Sequence, residues 1–392
     1  MRIAVVGAGQ LARMLALEGW AMGFQFSFLA THDESSVCVD GLGSVIRYQA
    51  GTSAAEVYLK LGSPVVITVE KEDVDIDLLK ALQQFCPVYP DPSIIHVCQH
   101  RGRERDFLNK IGVPCAVYQK VSNVDELSAA IDLIGLPAIL KSCVAGYDGL
   151  NQWHFEKRAD VIKFINTTDL SFQCILERKV SFTREFSIIL VRDINGNHLR
   201  YPLTQNRHCK GVLLTSKAPV QDFDTRLNSQ VDDIIKRFIH AWNYVGILAI
   251  ECFETDSGVL VNELAPRVHN SGHWTQLGAN TSQFQNHLRA ITGMVLGATE
   301  AWGHAGMINL LGCTAPSAVL CQSNSQVHLY NKNPRPGRKL GHVNLVHYDD
   351  RQLTEQMYQI LGDVYGDKND SKRPEIPLQI LDKVILSDLK PE

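Results

Sequence analysis

A short apolar run, Ile3–Val6, passes through Gly7-Ala8-Gly9-Gln10 into a helical pattern over Leu11–Gly19. A strand that turns on glycines directly into a helix must be followed by a crossover, which commits the N-terminal region to layered strands and helices. The next segments keep the alternation: Phe24–Ala30 reads as a second strand, and Pro64-Val65-Val66-Ile67-Thr68-Val69 as a further buried strand ending in Glu70. Strands alternating with helices predict a parallel, doubly wound α/β sheet over the first hundred residues. The segment RGRERDFLNKIG, between about 100 and 120, reads as a charged helix stopped by Gly112 and Pro114.

Gly7-x-Gly9-x-x-Ala12, with Asp33 and Glu34 about twenty residues on, satisfies the dinucleotide-binding fingerprint on paper. Helix N-terminal amides can face an anion, but the chain offers no hydride-transfer constellation, so a nicotinamide cofactor is not expected. At 392 residues there is room for two or three domains, and a net charge of -4 gives no bulk argument for nucleic acid or membrane as partner. The opening MRIAVVGAGQ enters a strand without the charged and apolar regions of a signal peptide, and no apolar run is long enough to span a bilayer. Ten cysteines are scattered singly with no CxxC pair, which favours reduced thiols and a cytoplasmic location.

From about 120 to 300 strands mix with turns. Ile250–Thr255 and Val259–Glu263, joined by Asp256-Ser257-Gly258, form a hairpin signal that carries Glu251 and Glu263 on its two strands. Two carboxylates on adjacent strands repel, and a divalent cation bridging phosphate oxygens removes that repulsion. Lys141 ends the apolar run Ala138–Leu140, where its charge can reach a phosphate, and Gly146-Tyr147-Asp148-Gly149 follows as a loop able to fold over a ligand. His269 and His273 are four apart, a spacing open to zinc on a helix, but Gly272 and the missing acid between them argue against it. The run Lys332-Asn333-Pro334-Arg335-Pro336-Gly337-Arg338-Lys339 gathers four cations on a chain stiffened by two prolines. After Gly297 the pattern is short and strand-like (Met307–Gly312, Val327–Tyr330, Gly341–Leu345), then helical from Arg351 to Leu361.

Four segments taken together, GAGQLARML, KSCVAGYDG, NELAPRVHNSGHWTQ and RPGRKLGH, resemble the N5-carboxyaminoimidazole ribonucleotide synthetase family of the ATP-grasp superfamily. The resemblance implies a mixed α/β and α+β chain. A Rossmann-like pre-ATP-grasp domain would span 1-99, an ATP-grasp domain 100-300 with a mobile subdomain at about 120-190, and a small, mainly-β domain 301-392. It implies ATP and Mg²⁺, with 5-aminoimidazole ribonucleotide and bicarbonate as substrates, and a homodimer. It places Arg101, Lys141, Gly146, Gly149, Gln152, Glu177, Val180, Glu185, His208, Asn262 and Glu263 on the nucleotide, the backbone of Glu177–Val180 at the adenine edge and Glu185 at the ribose. Glu251 and Glu263 would hold the metal. Arg267 and His269 would line the bicarbonate and carboxyphosphate pocket, with Tyr147 and Asp148 positioning the amine. Gln10, Glu70, Lys332, Arg335, Arg338 and Lys339 would meet the ribonucleotide, Lys332 and Arg338 at its 5′-phosphate; Glu72 competes with Glu70 for its role. Where the family has a further glycine and basic residues, this chain has Ser142, Ala145, Leu150 and Asn151. Two other readings fit parts of the pattern: a sister ligase sharing Glu251, Asn262 and Glu263 without needing RPGRK, and a catalytically silent nucleotide-binding protein.

Overall fold

The computed structural model describes residues 1–144, 151–209, 211–314 and 323–366. Its first sheet contains β1 (Arg2–Val6), β2 (Gln25–Ala30), β3 (Ser44–Arg47), β4 (Val66–Val69) and β5 (Val88–Tyr89), all parallel, in the order β3-β2-β1-β4-β5. The chain steps outward through β2 and β3 and then returns to the other side of β1. The strand order therefore reverses between β1 and β4, whose carboxyl ends form the crevice where open α/β sheets bind ligands. Ile3, Ala4 and Val5 are all fully buried, because α1 (Gln10–Ala21), α2 (Ala54–Lys60), α3 (Ile76–Leu82) and α4 (Pro92–Cys98) supply apolar side chains to the two clusters around the sheet. The expected doubly wound sheet is present.

The charged segment forms α5 (Arg101–Lys110) and leads into a smaller antiparallel sheet. This sheet comprises β6 (Tyr118–Val121), β7 (Ala138–Ser142), β8 (Gln152–Phe155) and β9 (Cys174–Arg178), in the order β6-β9-β7-β8. With α6 (Val124–Ile134) and α7 (Arg158–Thr167) it closes over its own core of Leu127, Ile131, Leu140, Phe155, Phe164 and Leu176.

The largest sheet has nine antiparallel strands. β10 (Arg184–Arg192), β11 (His198–Arg200), β12 (Thr204–Cys209), β13 (Val212–Ala218), β14 (Gly246–Thr255) and β15 (Gly258–Ala265) are joined by β16 (His304–Leu311), β17 (Ser325–Leu329) and β18 (Lys339–His347). β13 pairs with β16 from Thr215↔Ile308 to Ala218↔Ala305. The short C-terminal strands expected from the sequence are present; they are antiparallel and continue the central sheet. Helix α8 (Thr225–Ala241) covers one region with Leu227, Val231, Ile234, Ile235 and Phe238, spaced to fall on one face. Short α9 (Thr275–Gly278), α10 (Gln283–Thr292) and the last described helix, α11 (Asp350–Tyr365), pack on other parts of the sheet. Among the described residues no helix is long and apolar enough to cross a membrane, and the nine described cysteines are free thiols.

Candidate active site

A cleft of ≈ 1190 Å³ opens where the carboxyl ends of β1 and β4 meet the small sheet and the large one. The structure brings to its walls Gln10, Glu70, Arg101, Lys141, Gln152, Glu177, Val180, Glu185, His208, Glu251, Asn262, Glu263, Arg267, His269, Lys332, Arg338 and Lys339. It does not bring Arg335 there: that side chain is exposed on the turn, and its carbonyl accepts the Arg338 amide at 3.1 Å. A proline-stiffened turn cannot aim every one of its cations the same way. Gly146, Tyr147, Asp148 and Gly149 lie outside the described residues.

The carboxylate pair is set by strand register. β14 and β15 form the expected hairpin, with Gly258 at φ +127° where a side chain would be strained, and Glu251 stands directly opposite Glu263. A bulge follows Glu251 in the ladder. Burial, opposed by His208 and assisted by the facing Glu263, pushes the Glu251 carboxyl up to about 7. Glu263 goes the other way: burial would raise it, but Arg101, 3.1 Å away, and Lys141 hold it low. Among the described residues no three metal-ligating side chains gather. The facing carboxylates of Glu251 and Glu263 are hard-oxygen donors of the kind that fit a divalent cation such as Mg²⁺.

Lys141 is the penultimate residue of β7 and pairs across the ladder with Gln152. Its ammonium meets Glu177 Oε2 at 2.6 Å, and Arg105 Nε donates to Glu177 Oε1 at 2.6 Å. Glu177 thus turns its side chain onto these two cations, and Glu177, Arg178, Lys179 and Val180 all line the cleft. Burial alone would raise the Glu177 carboxyl, but Arg105 and Lys141 bring it down to about 2. A depressed carboxyl contributes stability above its unfolded value of 4.5 and loses it as pH falls towards 2. In acid unfolding, Glu177→Gln should therefore lose on the order of 3 kcal/mol less than the parent between pH 4.5 and 2. Equal pH slopes in chemical-denaturation titrations would refute the assignment.

Glu185 is bonded to His208 Nδ1. Burial lowers His208, and the Glu185 carboxylate outweighs it, so the imidazole is held above its ordinary value. Arg267 Nε lies 2.8 Å from Glu72 Oε1. His269 Nδ1 accepts the Ser271 amide at 3.3 Å, which leaves the proton on Nε2, aimed at Glu251 Oε1 3.6 Å away. Burial and then Arg267 keep this imidazole neutral, well below the ordinary range. Asn270 beside it has no partner for its buried Nδ2 or Oδ1 among the described residues, so it is a ready polar contact that the sequence reading passed over. His273, by contrast, packs at a tilt against His342, with ring centroids 4.7 Å apart, and meets Gln283, inside the core.

Glu70, expected on the substrate side, reaches the cleft wall with its carboxylate held by the glycine turn. Its Oε1 accepts the Gly9 amide and its Oε2 the Ala12 amide at 2.7 Å, while Glu34 accepts the Ala8 amide at 2.9 Å and pairs with Lys71 at 2.6 Å. Of the two acids that completed the dinucleotide fingerprint, Glu34 is taken up by the glycine turn itself, while Asp33 stays exposed beside His32. Glu72, on the same segment, is the one that faces Arg267. At the far end of the cleft Lys332 is bonded to Gln10 Oε1 and sits over the Tyr330 ring at 5.7 Å, joining the C-terminal turn to the start of α1.

Three family models match in sequence: a ribonucleotide synthetase preATP-grasp domain over 1–99, an ATP-grasp domain over 106–284 and a phosphoribosylaminoimidazole carboxylase C-terminal domain over 305–356. N5-carboxyaminoimidazole ribonucleotide synthase of Pseudomonas aeruginosa is 40% identical over 88% of this chain and 94% of its own. The crystal structure of N5-carboxyaminoimidazole ribonucleotide synthetase from Thermus thermophilus superposes with a TM-score of 0.84 at 34% identity, covering 94% of this chain and 100% of that one. The Staphylococcus aureus N5-carboxyaminoimidazole synthetase complexed with ADP gives 0.80 at 27% identity, over 91% and 96%.

Proposed function

Since this chain belongs to the N5-carboxyaminoimidazole ribonucleotide synthase family, we infer that the cleft performs that family's reaction with the side chains gathered in it. The protein is an ATP-grasp ligase of purine biosynthesis. It carboxylates 5-aminoimidazole ribonucleotide with bicarbonate, giving N5-carboxyaminoimidazole ribonucleotide, ADP and phosphate. The observation that carries the residue assignment is the opposition of Glu251 and Glu263 beside Arg101 and Lys141, in a cleft that also holds Arg267 and the Lys332–Lys339 turn.

The nucleotide lies between the two antiparallel sheets, adenine against the Glu177–Val180 backbone and ribose at Glu185. Lys141, Arg101 and Gln152 take the phosphates, and Glu251 and Glu263, with Asn262 beside them, would hold Mg²⁺, which would neutralise charge on the phosphoryl group. Arg267, neutral His269 and Asn270 bind bicarbonate, the guanidinium matching its planar oxygens. A bicarbonate oxygen attacks the γ-phosphorus, ADP departs, and the carboxyphosphate formed stays shielded from water. The aminoimidazole amine then attacks the carboxyl carbon, phosphate leaves and the amine loses a proton, with Asp148 and Tyr147 positioning it. Lys332, Arg338 and Lys339 receive the 5′-phosphate. ADP release that depends on both the ribonucleotide and bicarbonate, with carboxylated product in equal amount, tests the reading. ADP release independent of the ribonucleotide would favour a different ligase.

Arg338→Ala should raise KM for the ribonucleotide about tenfold or more and leave KM for ATP within about twofold, because the lost charge-assisted bonds are worth on the order of 1.5–3 kcal/mol. Parallel losses for both substrates would remove the turn from the phosphate site. The same reading includes domain limits near 99 and 300, a small sheet that moves as a unit over the nucleotide, a homodimer and a cytoplasmic setting suited to free thiols. Light scattering tests the dimer.

A further inference from the structure

Arg105 has no place in the mechanism above, yet it is fully buried and bonded in three directions. Its Nε donates to Glu177 at 2.6 Å, one terminal nitrogen to Glu104 Oε1 at 2.7 Å and the other to the Asn262 carbonyl at 2.6 Å. Glu104 Oε2 in turn accepts the Leu264 amide at 3.1 Å. The Glu104–Arg105 pair on α5 therefore grips β15 on both sides of Glu263, while Arg105 also holds the carboxylate that holds Lys141. We propose that Arg105 is a positioning residue that fixes the Lys141 ammonium on the small sheet relative to the Glu263 carboxylate on the large one. The proposal rests on Lys141 serving the nucleotide phosphates.

Stability alone does not account for the arrangement. Taking these charges from water is costly, and well-packed apolar residues often serve as well or better, so a buried ion cluster is more readily explained by the geometry it enforces. Lysine at position 105 would keep the charge but cannot reach Glu177, Glu104 and Asn262 together, since it lacks the guanidinium fork.

The test is a double-mutant cycle on kcat/KM for ATP with Arg105→Lys and Lys141→Met. Arg105→Lys alone should lower kcat/KM for ATP roughly tenfold, as sub-ångström to ångström misplacement of a phosphate-binding charge does. KM for the ribonucleotide should stay within about twofold, a split that general loosening of the fold would not produce. In the Lys141→Met background the same substitution should have less than about a twofold effect. If Arg105→Lys does not fold, Glu104→Gln, which weakens the grip on β15 and leaves the Glu177 contact, should show the same ATP-selective loss. Additive effects in the cycle, or equal losses for both substrates, overturn the proposal while leaving Lys141 in place. Unchanged ATP kinetics in Lys141→Met alone would remove the phosphate assignment, and this proposal with it.

Discussion

Glu263→Gln is expected to reduce turnover by about a hundredfold or more while the protein melts within a few degrees of the parent. The side chain is 43% exposed, faces the cleft and fills no core space, so the amide preserves packing. What disappears is the carboxylate charge directly opposite Glu251, which the proposed metal site requires, and the charged partner of Arg101. Glu251 cannot compensate, because burial already raises its carboxyl and a single carboxylate holds a hard divalent ion weakly. The rate should also need much more Mg²⁺ to saturate, and ADP binding without Mg²⁺ should be little changed. Near-normal rates at the parent's Mg²⁺ requirement would end the metal assignment.

Arg267→Ala should abolish carboxylation to a similar degree, with kcat/KM for bicarbonate falling roughly 10²–10³-fold and ADP affinity nearly intact. Arg267 is ion-paired with Glu72 at 2.8 Å and stands near His269, which burial keeps neutral, so it is the principal positive charge available to an oxyanion in that part of the cleft. Its loss strands the Glu72 carboxylate there, and the resulting negative field repels bicarbonate. Arg267→Lys restores charge without the planar fork and should recover only part of the rate. If bicarbonate dependence is unaltered while KM for ATP rises, Arg267 belongs to the nucleotide instead.

The parallel sheet and the glutamate hairpin were readable because strand alternation and a glycine turn are local signals. The register that sets Glu251 against Glu263 was only implied by the hairpin, and β14 and β15 supply it. The sequence reading took RGRERDFLNKIG for a charged helix, and so it is. Yet Arg101, Glu104 and Arg105 fall with Leu108 on its buried face, a spacing of 3, 4 and 7 usually looked for in apolar residues. Charges that pair with distant strands leave no local trace, which is why Arg105 was passed over. Glu70 and Glu72, two residues apart, could not be told apart before the structure gave one to backbone amides and the other to Arg267. The continuation of the central sheet through Ala218↔Ala305 was equally hidden, since the paired strands lie far apart in sequence.

The self-capped glycine turn has a consequence for competition among ligands. Glu70 and Glu34 are tethered to the same small domain as the amides of Ala8, Gly9 and Ala12. Even a loose tether gives an effective concentration in the millimolar range, and a side chain already in contact exceeds that. A free dinucleotide would have to displace an anion that never diffuses away, and its pyrophosphate would meet two carboxylates on arrival. The fingerprint is thereby saturated from within, so a fold that resembles a nicotinamide site can stand in a solution of such cofactors and remain reserved for its neighbouring cleft.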